Sequence, residues 1–223
     1  MGQMVKLTSS DGFELGAYRA DPAGAPKGGV VIIQEIFGVN KHIKEVCDGY
    51  AADGYIAIAP ALFDRVEKDL ELGYVPEDQE KGKATRGQLN WDDSLADSQA
   101  AAEAIRGDAG KVGIIGYCFG GSVAWIAATR GNFDCAVSYY GGNAAEFAEE
   151  VPKCPVICHI GTEDKGVNAE KVATIKAARP EVPVHMYEGA GHGFNCDHRG
   201  SFDEAASKTA RERSLALLAE NIG

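Results

Sequence analysis

The stretch from Lys111 to Ser122, KVGIIGYCFGGS, narrows the choice of folds more than any other in the chain. Val112-Gly113-Ile114-Ile115 sets small and branched apolar residues between glycines, the make-up of a short buried strand. Gly116-Tyr117-Cys118-Phe119-Gly120-Gly121 follows and leads into an Ala-rich run, Ser122 to Ala128, built of helix-forming types. A strand that turns into a helix through Gly-x-Cys-x-Gly has the pattern of a nucleophile elbow. The sharp turn lifts one side chain above the sheet edge, and its crowded backbone leaves little room for flanking Cβ atoms. The helix aims free N–H groups and the positive end of its dipole at that side chain, so a thiolate or an oxyanion formed there is stabilised. The residue so placed is Cys118. A dinucleotide-binding G-x-G-x-x-G is not matched, because Cys118 stands at the middle glycine, and no lysine follows as in a P-loop.

Around this element the chain alternates strand and helix patterns. Lys6 to Ala20 reads as a hairpin about Ser10-Asp11-Gly12, and Gly28 to Gln34 as a strand buried on both faces. Asn40 to Asp53 has helical spacing with Asn40 as cap, and Tyr55 to Pro60 reads as the next strand. Ala61 to Asn90 shows charge, Gly and Pro without an apolar period, an insertion long enough to be functional or mobile. Helix is expected over Trp91 to Arg106, strands over Cys135 to Tyr140 and Pro155 to Ile160, and a short helix between those two strands at Asn143 to Glu150. Ala169 to Ala178, Val182 to Glu188 and Phe202 to Asn221 read as helix, last strand and closing helix. Strands alternating with helices from residue 28 onward imply an α/β fold, a mostly parallel twisted sheet with helices on both faces. With 223 residues and no internal repeat or linker, one domain over residues 1–223 is expected.

Charge narrows the partners. Lysine and arginine number 22 against 33 acidic residues, a net charge of -11 that repels nucleic acid and anionic membrane. An anionic small substrate would need local Arg or Lys. No apolar run approaches the ~20 residues of a membrane span. The opening MGQMVKLTSSDGF lacks the charged-then-apolar build of a signal peptide, and Met1-Gly2 fits a myristoylation pattern weakly, since a strand begins at once. A cytoplasmic location is expected, with the six cysteines, which form no CxxC pair, mostly buried free thiols. No strand or helix is apolar on a second face, so a monomer is expected.

In parallel sheets chemistry gathers at the carboxyl ends of the strands. After PVICHI comes Gly161-Thr162-Glu163-Asp164, and after the last strand Gly189-Ala190-Gly191-His192-Gly193-Phe194. Nucleophile, acid, histidine is the chain order of α/β-hydrolases. His192 would take the Cys118 proton, and Asp164, preferred over Glu163 and Asp197, would hold the histidine Nδ1–H. The oxyanion donors are expected at the N–H of Phe119 and, from the loop Gln34-Glu35-Ile36-Phe37-Gly38, the N–H of Ile36. A metal set of His192, Cys196 and His198 lacks a fourth ligand at the usual spacing, so no metal is expected.

QEIFGVN, GYCFGG, VSYYGG and GAGHGF, in that order, resemble the dienelactone hydrolase family (carboxymethylenebutenolidases) from about Gly28 to the closing helix. The resemblance implies an α/β-hydrolase fold, a Cys118-His192-Asp164 triad and no cofactor. It also implies a part for Glu35 in generating the thiolate, and a substrate site lined by Phe37 and Tyr139. The implied reaction opens a small lactone or ester by acyl transfer to sulfur, followed by thioester hydrolysis. Family enzymes hold a substrate carboxylate with two arginines. Four residues after His192 this chain has Cys196, so Arg199, and before the elbow Arg86, are the candidates. An acyltransferase or thioesterase on the same triad, and a silent ligand-binding relative, are the alternatives.

Overall fold

The computed structural model describes residues 2–223. Its strands are β1 (Gln3–Thr8), β2 (Glu14–Ala20), β3 (Gly29–Ile33), β4 (Ile56–Pro60), β5 (Val112–Tyr117), β6 (Ala136–Tyr139), β7 (Val156–Gly161) and β8 (Val184–Tyr187). They join one sheet in the order β1-β2-β4-β3-β5-β6-β7-β8. The β1–β2 hairpin forms as its alternation implies, and β2 pairs antiparallel with β4; every pairing from β4 through β3 to β8 is parallel. The helices are α1 (Lys41–Ala52), α2 (Pro76–Arg86), α3 (Trp91–Ala109), α4 (Phe119–Arg130), α5 (Ala169–Ala178) and α6 (Glu204–Asn221). Among the described residues no helix is long and apolar enough to cross a membrane.

The winding of this sheet positions the site. β4 lies on one side of β3 and β5 on the other, so the chain reverses direction between β3 and β5. Loops leaving the carboxyl ends of two such strands part from one another and open a crevice. Ile33 pairs in register with Gly116, which sets the Glu35 loop beside Cys118. α4, buried along its whole length except Arg130, packs directly behind this crevice. Its first turn lies so close to β3 that a Cβ on Gly120 would collide with the Ile33 and Gln34 carbonyls, and the Gly120 N–H instead donates to Gln34 O at 3.1 Å.

The residues from Ala61 to Asn90 depart from the patternless expectation. A 3-10 turn runs over Leu62–Arg65 and α2 over Pro76–Arg86. Both are seated by polar contacts that a hydropathy pattern does not register. Arg65 donates to both carboxylate oxygens of buried Asp97 at 2.7 Å and to Asp11 at 2.8 Å, and Asp64 accepts the Gly16 N–H at 2.8 Å. α2 buries only Gly82 and Thr85, and a Cβ at Gly82 would run into the Ile36 carbonyl, so the helix backbone rests directly on the Glu35 loop. Pro76 in the first turn, Glu77 and Asp78 after it and Lys83 and Arg86 in the last turn are the helix signals this stretch does carry. The short helix expected over Asn143 to Glu150 is a 3-10 turn at Ala144–Phe147, while α3 extends beyond Arg106 to Ala109.

Candidate active site

Cys118 stands between β5 and α4 with φ +56° and ψ −113°, a backbone conformation that L-residues rarely adopt. Such strain persists only where the surroundings impose it, and here the Cys118 N–H donates to Tyr139 O at 3.0 Å while α4 anchors the other side. The thiol is partly exposed. His192 Nε2 lies 3.1 Å from Cys118 Sγ, and His192 Nδ1 lies 2.9 Å from Asp164 Oδ2. The second Asp164 oxygen accepts the N–H groups of Gly166 at 2.7 Å and Val167 at 3.0 Å. Three residues from the ends of β5, β7 and β8 therefore form one unbroken line.

The electrostatics follow the geometry. Burial alone would raise the Asp164 carboxyl, but the His192 contact and the two backbone N–H groups outweigh it and hold the group below its ordinary value. Burial alone would lower His192, yet the charges of Cys118 and Asp164 reverse this and raise it to about 10. Burial pushes the Cys135 and Cys158 thiols up to about 12 and Cys154 up to about 11, and burial with the Glu35 charge does the same for Cys196, to about 12. These sulfurs stay protonated at neutral pH.

Glu35, at the mouth of β3, is 1 % exposed. Its Oε1 accepts from Arg199 Nη1 at 2.9 Å, whereas its Oε2 has no partner among the described residues. Arg199 also lies over the rings of Phe37 (5.6 Å) and Tyr74 (5.9 Å). Burial alone would lower the guanidinium, but Glu35, joined by Tyr140, Cys118 and Cys196, outweighs it and keeps the group above its ordinary value. Tyr74 closes this side: its ring meets Phe37 edge-on at 4.7 Å, and its hydroxyl accepts from Asn40 Nδ2 and Cys196 Sγ. A cleft of about 620 Å³ opens here between Tyr74, Gln79 and the His198 to Ser201 turn. A second cleft of about 480 Å³, under β1–β2 around Met4, Phe13 and Leu15, touches none of these groups.

Arg86, on the last turn of α2, stacks on Trp91 (4.1 Å) and Phe119 (4.5 Å), the residue next to the thiol, and donates to Leu89 O. Burial lowers this guanidinium, with the charges of Glu146 and Cys118 acting against it. Tyr139, expected to line the site, turns away from it: its hydroxyl bonds Ser214 of α6 at 2.8 Å and its ring lies 4.6 Å from His159. The next residue takes the place instead. Tyr140, at φ +39°, puts its ring 5.1 Å from His192, and its buried hydroxyl has no partner among the described residues. β6 ends at Tyr139, so the first residue past the strand is the one at the cleft; the doubled tyrosine of VSYYGG carried that signal, as did Pro76 and the charges of α2 for Tyr74 and Arg86. His198, Cys196 and His192 do not converge: Cys196 faces Tyr74, and His198 faces α1.

A family model for the dienelactone hydrolase family matches residues 15–222. The chain belongs to the dienelactone hydrolase family. A carboxymethylenebutenolidase of Pseudomonas putida is 35% identical over 224 residues, covering 96% of this chain and 95% of that one. Carboxymethylenebutenolidase 1 of Cupriavidus pinatubonensis is 32% identical with the same coverage. The crystal structure of a candidate dienelactone hydrolase from Klebsiella pneumoniae superposes with a TM-score of 0.84 at 29% identity, over 99% of both chains. The sheet and helices are those of the α/β-hydrolase fold, and the chain is an ester or lactone hydrolase of the dienelactone hydrolase type.

Proposed function

We propose that the chain opens small lactones, or cleaves small carboxylic esters, that carry a carboxylate, through a thioester on Cys118. The observation that carries this reading is the continuous line of 3.1 Å and 2.9 Å contacts from Cys118 Sγ through His192 to Asp164. The thiolate attacks the substrate carbonyl, and the oxyanion so formed sits at the start of α4. There the Phe119 N–H is one of the donors that a helix start leaves free, with the Ile36 N–H across the crevice as the second. His192, as the imidazolium, donates its Nε2 proton to the departing enol or alkoxide oxygen. It then takes a proton from the water that hydrolyses the thioester, and the Cys118 thiolate is released. Asp164 keeps the ring oriented and its charge balanced.

Glu35 and Arg199 supply the selectivity in this reading. A substrate carboxylate competes with Glu35 for the Arg199 guanidinium. Once displaced, Glu35 is a buried carboxylate without its counter-charge, and such a group is a stronger base. It can then accept the thiol proton, which couples nucleophile formation to arrival of an anionic substrate. Phe37 forms the wall beside Arg199, and Arg86 provides a second cation on the Phe119 side. Every group comes from one chain, so a monomer suffices.

The test follows the ultraviolet absorbance of cis- and trans-dienelactone with wild type and Cys118→Ala side by side. Rapid loss with wild type, and a decrease of roughly 10⁵-fold or more in the folded variant, is expected. Cys118-dependent cleavage of a neutral p-nitrophenyl ester without loss of dienelactone would keep the nucleophile and discard the substrate class. A Cys118→Ala protein that still turns over either substrate at more than a few per cent would overturn the nucleophile assignment.

A further inference from the structure

Away from the thiol, α1 and the turn that follows His192 bring together four side chains with metal-ligating atoms. His42 Nδ1 lies 3.2 Å from Asp197 Oδ1, and His198 Nε2 lies 2.6 Å from Glu45 Oε2 and 3.8 Å from the same Asp197 oxygen. The ligand atoms of His42, Asp197 and His198 all fall within 4.8 Å of one another, and among the described residues no other group of three does so. We infer that His42, Asp197 and His198, with Glu45 as the adjacent carboxylate, form a binding site for one divalent transition-metal ion of the zinc type.

The dimensions suit such an ion. Two imidazoles on one tetrahedral metal, with metal–nitrogen bonds of about 2.0–2.1 Å, hold their ring centroids about 5 Å apart. The His42 and His198 rings are 5.7 Å apart at 64°, near that separation, and the three ligand atoms, now within 4.8 Å of one another, draw together when an ion binds. Mixed imidazole and carboxylate donors favour zinc and its neighbours over calcium or magnesium, which prefer all-oxygen shells. His42 and Glu45 sit three apart and share one face of α1, while Asp197 and His198 are consecutive on the facing turn, so the site ties two separate segments together.

The burial pattern also points to a ligand. The His42 side chain is only 4% exposed; its Nδ1, the atom that faces the cluster, has only Asp197, itself 62% exposed, and its Nε2 has no partner among the described residues. Holding an imidazole out of water for one solvent-screened carboxylate gains little. A metal bound there recovers far more. An open cleft of about 370 Å³ beside His42, Glu45 and Asp197 provides the way in, and the net charge of -11 favours cations. His198 directly precedes Arg199, so a bound ion would clamp the turn that presents Arg199 to Glu35.

The experiment dialyses the full chain against chelator and titrates it with Zn²⁺ by calorimetry and with Co²⁺ by absorbance. One equivalent of Zn²⁺ is expected, with a higher melting temperature and a Co²⁺ spectrum lacking a thiolate-to-metal band. Asp197→Asn with His198→Gln, a double change at the surface that leaves the buried His42 in place, should weaken Zn²⁺ binding by roughly tenfold or more. Cys118→Ala should leave it intact. The proposal is overturned if no equivalent binds, if binding is unchanged in the double variant, or if Co²⁺ shows a thiolate band that Cys118→Ala removes.

Discussion

Two buried carboxylates, Asp164 and Glu35, are held in opposite ways. Asp164 has both oxygens occupied, one by His192 and the other by the Gly166 and Val167 N–H groups of its own loop. Glu35 has one oxygen on Arg199 and the other on nothing among the described residues. A carboxylate accepting several fixed N–H groups is a permanent fixture of the fold, whereas one held by a single side chain can exchange its partner. Asp164 has the attachment expected of a group that orients a catalytic base. Glu35 has that expected of a group released by substrate.

The contrast breaks most sharply under amide substitution. Asp164→Asn keeps the shape but offers an NH₂ where His192 Nδ1–H now donates, and this should favour the wrong imidazole tautomer. A loss of kcat by roughly 10⁴-fold is expected on every substrate, charged or neutral, the scale seen when a triad carboxylate becomes its amide. Parallel assays of dienelactone and a neutral p-nitrophenyl ester would reveal it, and a loss confined to one of them would put Asp164 outside the shared machinery. Glu35→Gln should separate the two substrates instead. Roughly 10²-fold is expected to be lost on the carboxylate-bearing lactone, the size of one general-base contribution, with the neutral ester within a fewfold of wild type. Equal losses on both would mean that Glu35 serves the thiol irrespective of what occupies Arg199.

The same contrast separates what is legible in the sequence from what is not. The elbow, the Asp164 loop and the His192 loop each follow a strand, so strand, turn and the three side chains that meet in the Cys118–His192–Asp164 line could be located together, and their order implied the fold. The Glu35 side rests on parts that no periodicity marks. Arg65 grips Asp97 from 32 positions away, Gly82 matters because of a backbone it touches, and Tyr74 is ordered by Asn40 and Cys196. Contacts between distant polar side chains leave no local signature. The exchange of Tyr139 for Tyr140 has a different origin: which of two adjacent residues faces the cleft depends on where β6 stops, and strand ends are the least determined feature of a pattern.

The smallest effect concerns the charge that Asp164 is proposed to serve. His192 is raised to about 10 in the folded chain, above the ordinary imidazole value near 6.5. A raised folded value contributes stability that is fully present below the unfolded pKa and is lost as pH climbs through the folded one. Unfolding free energy should therefore decline between about pH 6.5 and pH 10 by an amount that Cys118→Ala reduces, since that change removes one of the two charges raising His192. Asp164 acts at the other end. Its folded pKa is depressed, so its contribution is complete above the ordinary carboxylate value and disappears as pH falls through the lower, folded one. Urea titrations across pH, with the His192 ring followed by NMR, would measure both. If the imidazole of Cys118→Ala titrates near 10 as in wild type, the charge at Cys118 is not what sustains the imidazolium. In that case the pairing with Asp164 alone sustains it.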